Sequence, residues 1–322
     1  MELTIKKIDL YGRDTEPKDG VANSYPTPKD AISQPCLLYV SAVRNSGKSF
    51  SISKLMKQCK KDKTFDVIYM ITPTFVSNKA YFGDIVDEDN VFEPTKTSIS
   101  EVIEKVEQDR DDWEKYLVEK REYEEFMKCL KKGSTFTDAE LMRYMDLGFL
   151  DDDIITPKWK YEKEQPPRSC VILDDILSSP AILQSSGLTK VATLNRHVAP
   201  LNEEFINPDG TKRSACGLAV ILISQTYSMQ QGVGRCLREN LTHLMIFKNK
   251  AEKQLAKIRE ELGSAVDEDK FMKAYDFATK EKFGNLLVDF KPSCPTKTFR
   301  KNLNEYIIFP EHKAECHCDL SK

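Results

Sequence analysis

Apolar residues gather along the chain into short unbroken runs set between more polar stretches. CLLYVSAV (36–43), FDVIYMIT (65–72), CVILDD (170–175), GLAVILIS (217–224) and LTHLMIF (241–247) are too continuous for strands with one wet face. Each reads as a strand buried on both sides. Pro35 bounds the first run and Pro73 stops the second. Between these two, SFSISKLMKQCKK places Phe50, Ile52, Leu55 and Met56 at helical spacing. Strand, turn, helix, strand is a βαβ unit and predicts a parallel sheet. Further helices are predicted at about 181–195, at 235–240 and over 251–262, the last closed by Gly263 as a C-cap. FGNLLVDF (283–290) and EYIIF (305–309) are candidates for extra strands at one sheet edge.

Two stretches depart from this rhythm. Residues 1–35 carry Pro17, Pro26, Pro28 and Pro35 with scattered apolar positions, and are expected to form an irregular N-terminal arm. Residues 98–150 turn helical, with Val106, Trp113, Leu117, Tyr123, Met127 and Leu130 forming one apolar stripe. From Glu101 to Glu125 this segment holds eleven acidic and five basic residues, which argues against contact with a nucleic-acid backbone. The expected organisation is an arm (1–35), one α/β domain (36–310) interrupted by a helical insertion (98–150), and a tail (311–322). No internal repeat is visible.

At 322 residues there is length for a sizeable core, and 40% apolar with 31% charged residues is an ordinary globular composition. Lys and Arg number 48 against 51 Asp and Glu, a net charge of −3, which excludes an extended basic coat but not a local basic channel. No run approaches the ~18 apolar residues of a membrane span, and MELTIKKIDLYGRD lacks a signal-peptide core. With nine cysteines and no export signal, reduced thiols in a cytosol-like compartment are expected.

The chemistry concentrates at strand ends. SAVRNSGKS (41–49) joins a predicted strand to a predicted helix. Phosphate binding needs backbone N–H groups turned to the anion, a glycine for close approach, a lysine for the β/γ charge and a hydroxyl for Mg²⁺. Gly47, Lys48 and Ser49 supply the last three, within a loop of Ala42, Val43, Arg44, Asn45, Ser46 and, on its helix side, Phe50. The usual first glycine is replaced by Ala42. Asp174 and Asp175 close a buried strand, where ligands of open α/β sheets sit. Asp174 is placed near the metal held by Ser49, and Asp175 orients or deprotonates the attacking water. Gln225, directly after another buried strand, can sense nucleotide state. Arg196, Arg235 and Arg238 are candidates for an arginine reaching a neighbouring subunit's γ-phosphate.

The order strand–RNSGKS–helix, VILDD, NRH, LISQ, LRENLTHLMIF, with Phe299-Arg300-Lys301-Asn302 near the end, resembles the DNA-packaging ATPases of large double-stranded DNA viruses. These are the poxvirus-like branch of the FtsK/HerA translocases, and the match spans about residues 36–310. The resemblance implies a P-loop NTPase with a RecA-like, mostly parallel sheet flanked by helices. It also implies ATP and Mg²⁺ as cofactors and a homo-oligomeric ring, pentamer or hexamer. The partners it implies are double-stranded DNA, taken without regard to sequence, and a capsid or portal protein, in the virion or at a viral assembly site in the host cytoplasm. Carried over, Lys48 and Ser49 bind phosphates and Mg²⁺, Asp174 supports the metal, Asp175 positions water, Gln225 is the sensor and Arg196 the preferred trans arginine, with Arg238 second. The sequence departs from the pattern at Ala42 and in the stretch from Pro200 to Cys216, which reads as an inserted loop.

Within that loop Asp209-Gly210 signals a turn, and Lys212 and Arg213 are candidates for following a DNA backbone by charge, against a plain solvated turn. His312, Cys316, His317 and Cys318 number four zinc-type ligands, but neighbours in so short a tail chelate poorly, and a tail without metal is expected. Two other classes stay open: another P-loop NTPase such as a helicase or nucleotide kinase, and a capsid or scaffold protein that binds nucleotide without turnover.

Overall fold

The computed structural model describes residues 23–311 except 134, 151–155, 177–178, 228–234, 250 and 263–265. The five continuous apolar runs become β1 (Leu37–Ser41), β2 (Val67–Ile71), β4 (Ser169–Asp174), β7 (Leu218–Ser224) and β8 (His243–Phe247). With the short β3 (Val91–Phe92) they form a parallel block in the order β8-β1-β7-β4-β2-β3. β9 (Asn285–Asp289), β10 (Phe299–Lys301) and β11 (Glu305–Tyr306) extend the β8 edge by successive antiparallel pairings, completing a nine-stranded sheet. The mixed α/β class with a mostly parallel sheet, expected from the sequence, is what the chain adopts.

Unbroken apolarity is explained by what covers the two faces. Tyr39, Val171, Leu173, Val220 and Leu222 pack on one side with α3 (Ser98–Lys132), α6 (Ser186–Leu194) and α9 (Glu268–Ala278). The alternate positions Leu38, Val40, Ile172, Ala219 and Ile221 pack on the other with α1 (Lys48–Lys61) and α2 (Phe75–Phe82). A strand with both faces dry has no position at which a polar side chain is cheap.

Several expectations need correction. EYIIF pairs only over Glu305–Tyr306. The stretch 181–195 is two helices, α5 (Pro180–Leu183) and α6, the second capped by the Ser185 hydroxyl. The insertion is one 35-residue helix, α3, about 50 Å long, followed by α4 (Asp138–Asp146) with a complete Thr137/Glu140 capping box. Its buried line runs through Trp113, Tyr116 and Phe126, whereas Leu130 is exposed. Phe126, Tyr144 and Phe149 make a small satellite core at the far end. The supposed loop from Pro200 is a hairpin of β5 (Pro200–Ile206) and β6 (Lys212–Ala215). Only its tip is a turn, where the Asp209 carboxylate accepts from the Thr211 N–H at 3.0 Å and Gly210 takes φ 82°. α9 and α2 escaped the periodicity reading altogether. Among the described residues Cys36, Cys59, Cys129, Cys170 and Cys216 are free, whereas Cys294 is disulfide-bonded, against the expectation of reduced thiols.

Candidate functional site

β1 ends at Ser41, and the chain turns through residues 42–47 into α1. Ala42 donates its N–H to the Ser224 carbonyl at 3.0 Å and stays out of the left-handed region, so the position that usually holds glycine accepts a methyl group. The positive φ values fall at Asn45 (61°) and Gly47 (93°). Gly47 caps α1, and a Cβ there would meet the Phe283 ring at 3.2 Å, so both backbone and space call for glycine. Lys48 and Ser49 then occupy the first turn of α1, where free N–H groups and the helix dipole favour an anion. Phe50 follows, 62% exposed at the mouth of the loop.

The sheet order brings the acids to this loop. β7 lies between β1 and β4, so the ends of three neighbouring strands converge. Lys48 Nζ lies 3.0 Å from Asp175 Oδ1 and 3.9 Å from Asp174 Oδ1. Gln225, leaving the middle strand, donates from Nε2 to Asp175 Oδ1 at 3.2 Å. Asp175 holds φ 52°, an uncommon conformation that Asp tolerates better than most residues. One partner was missed by sequence reasoning: Asn78 of α2 donates from Nδ2 to Asp174 Oδ2 at 3.1 Å. The available signal was the position of α2, directly after Pro73 stops β2.

Asp174 is almost wholly buried, and burial pushes its carboxyl up to about 6, with Asp175 adding to the rise and Lys48 opposing it. Its Oδ1 and the Ser46 Oγ are buried without a hydrogen-bond partner among the described residues. A buried carboxylate oxygen without a hydrogen bond, its nearest charge the Lys48 ammonium at 3.9 Å, can take a cation or an ordered water. Ser49, next to Lys48 in the first turn of α1, would add a hydroxyl, and such an all-oxygen donor set suits Mg²⁺.

The remaining candidates stand elsewhere. Arg196 lies in the turn Asn195–His197, anchored where Asn195 donates to the Cys36 and Leu218 carbonyls at 3.3 Å each. That is the amino edge of the sheet, opposite the loop, so within one subunit Arg196 does not join Lys48. Arg238, in α7 (Arg235–Glu239), forms a two-point ion pair with Glu261 at 2.8 and 2.9 Å and lies 5.6 Å from the Tyr227 ring centre. Arg213 cannot touch DNA: it is fully buried and donates to the carbonyls of Pro166, Pro167 and Cys216 at 3.2, 3.2 and 2.8 Å. Lys212 is exposed and paired with Glu204. The Arg235 side chain and the cluster from His312 to Cys318 lie outside the described residues.

No family model and no curated protein matches this chain. Among solved structures it is similar to the genome packaging NTPase B204 from Sulfolobus turreted icosahedral virus 2 in complex with ATP-gammaS. Identity is 12%, over 83% of this chain and 97% of that one, with a TM-score of 0.38. It is also similar to the pCW3 conjugation coupling protein TcpA with ATPgS (14% identity, 88% and 63% covered, TM-score 0.41). A third is EssC (ATPases 2 and 3) from Geobacillus thermodenitrificans (12% identity, 72% and 39% covered, TM-score 0.37). These likenesses are faint, and the functional reading rests on the cluster where β1, β7 and β4 end.

Proposed function

We propose that this chain is an ATP-driven translocase that moves double-stranded DNA into a viral capsid, hydrolysing ATP between the subunits of a ring. The observation that carries the reading is the meeting of Lys48, Asp174, Asp175 and Gln225 beside the N-terminus of α1. The order of motifs along the chain supplies the rest.

The Lys48 ammonium is bonded to Asp175 at 3.0 Å and lies 3.9 Å from Asp174. A triphosphate seated on the first turn of α1 competes for that ammonium, because phosphate oxygens carry more charge than either carboxylate. Lys48 leaving Asp175 frees an oxygen to accept a proton from water, and Gln225, already bonded to Asp175, fixes where that oxygen points. Magnesium held by Ser49 and Asp174 would neutralise charge on the β- and γ-phosphates. Arg196, remote from its own loop, is assigned here to a neighbour's nucleotide, and a head-to-tail contact of that kind whose rotation closes gives the proposed ring, pentamer or hexamer. DNA would be held by backbone charge without sequence readout, with the capsid or portal protein as the docking partner at the assembly site. Ala42 fits its loop without a positive φ, so its departure from the usual glycine gives no support to a site that binds nucleotide without turnover.

The test is ATP turnover by the purified chain with and without long duplex DNA. Stimulation by DNA that is lost in Lys48→Ala supports the reading. Turnover indifferent to both would overturn it. Displacement of a third strand from a triplex, without separation of the duplex, distinguishes a translocase from a helicase.

A further inference from the structure

Gln225 reaches Asp175 through a bond of 3.2 Å at the end of a long, half-buried side chain. Fixing such a side chain costs rotamer freedom, so its aim depends on how firmly the backbone beneath it is held. The two residues that follow Gln225 are tied down on three sides.

The first tie is to the strands. The Thr226 carbonyl accepts from the Tyr39 hydroxyl at 2.6 Å and from the Ser224 hydroxyl at 2.8 Å, and the Thr226 N–H donates to Ser224 Oγ at 3.2 Å. Tyr39 is wholly buried in β1, so its hydroxyl is a fixed post. The second tie is to α8 (Glu252–Leu262). The Tyr227 N–H donates to Gln254 Oε1 at 2.9 Å, and the Tyr227 hydroxyl hydrogen-bonds to the Glu261 carboxylate. Gln254 and Glu261 lie two helical turns apart and so on one face of α8, about 10 Å along its axis. They grip the buried tyrosine at its backbone and at its tip. The third tie is to α7, whose Arg238 is ion-paired with Glu261 and stands 5.6 Å from the Tyr227 ring centre, while the Tyr39 ring meets the Tyr227 ring edge-on at 5.6 Å.

We propose that α8 positions Gln225 through Tyr227: Gln254 and Glu261 hold the tyrosine, the tyrosine holds the turn after β7, and that turn aims the Gln225 amide at Asp175. The assignment rests on the nucleotide reading above and makes Gln254 and Tyr39 positioning residues, since neither is among the groups assigned to the phosphates. Buried backbone groups make the link stiff, because a carbonyl or N–H released from its partner in the interior finds no water to replace it. Glu252, Lys253 and Glu260, on the side of α8 turned away from the grip, are exposed. A force applied to that surface is therefore felt at Gln225.

The experiment is steady-state ATP turnover by the full chain, with Tm recorded for each variant. Gln254→Met keeps the length of the side chain and removes the acceptor, whereas Gln254→Glu keeps an acceptor. Gln254→Met is expected to lower kcat about tenfold, less than the roughly hundredfold that a 1 Å misplacement can cost, with KM for ATP within about twofold of the parent. Gln254→Glu should restore most of that loss. Tyr39→Phe, which removes the hydroxyl from the Thr226 carbonyl and leaves the ring packing, should show the same split between kcat and KM. A purely structural role would lower Tm and leave kcat unchanged below the melt. The assignment is overturned if either Gln254→Met or Tyr39→Phe turns over as the parent does, if KM rises in step with the loss of kcat, or if Gln254→Glu is no better than Gln254→Met. Gln225→Ala reports separately on the underlying reading: parental turnover in that variant removes Gln225 from the site whatever α8 does. Loss in Gln225→Ala with parental turnover in the other two strikes out the α8 link alone.

Discussion

Replacing Asp174 by Asn should make the ligand-free protein more stable at neutral and alkaline pH, though it removes a charge that sits beside Lys48. Burial raises the folded-state pKa of Asp174 from its usual 3.8 to about 6. At 1.36 kcal/mol per pH unit, that gap of about 2 corresponds to about 3 kcal/mol. The folded value lies above the unfolded one, so the native state binds the proton more tightly. The native state therefore loses stability as pH climbs from about 4 to about 6 and carries the full penalty above that. Asn has the same shape and no charge to desolvate. Its carbonyl can keep the bond from Asn78, and Lys48 retains Asp175 at 3.0 Å. The expected gain is about 3 kcal/mol near pH 8, or roughly 5–10 °C in Tm for a domain of this size, shrinking to within about 0.5 kcal/mol near pH 4. Denaturant melts of parent and variant at the two pH values measure it. A gain below about 1 kcal/mol near pH 8, or an equal gain at both, would refute the buried-carboxylate argument. The same variant should lack ATP turnover, which makes the aspartate a stability cost kept for function.

Four other outcomes follow from the geometry. Gly47→Ala should cost about 1–2 kcal/mol from the left-handed backbone alone and weaken nucleotide binding as Phe283 is pushed aside, read by melting and by titration with ATP. Arg213→Ala strands the carbonyls of Pro166, Pro167 and Cys216 in the core and should cost at least about 3 kcal/mol, whereas Lys212→Ala should stay within about 0.5 kcal/mol. Equal melts for the two would contradict the buried placement of Arg213. Arg238→Ala should lower Tm, since it breaks a two-point pair with Glu261 at the Tyr227 ring. Arg196→Ala should leave Tm unchanged and lower kcat in the assembled protein; a turnover rate unaffected by it removes Arg196 from the trans role.

The loop was legible because its chemistry is local. Gly, Lys and Ser are consecutive, and a strand and a helix on either side announce themselves by their own apolar spacing. Asp174, Asp175 and Gln225 could be nominated because each ends a continuous apolar run, and such ends are where a parallel sheet presents its polar residues. Asn78 and Phe283 could not be. Asn78 sits in a short segment without a distinctive pattern and Phe283 merely opens a run read as a strand, and each matters only through a neighbour distant in the chain: Asp174 for one, Gly47 for the other. Arg213 shows the opposite failure. A lysine-arginine pair after Asp-Gly is the signature of a wet turn, yet the strand pairing of β6 turns one of the two inward to satisfy three carbonyls while its neighbour stays in water.

By itself, then, the order of residues determined which segments had to be dry on both sides, and hence a covered parallel sheet with a phosphate loop at the end of its first strand. Tertiary structure decided which strand ends became neighbours. β7 enters between β1 and β4 and carries Gln225 into the space between lysine and aspartates, and β9 is laid antiparallel on β8 so that Phe283 comes down on the loop. Hydrophobic periodicity is a property of one segment and can be read from it. Adjacency in a sheet is chosen by the packing of all segments together, and no single segment records it.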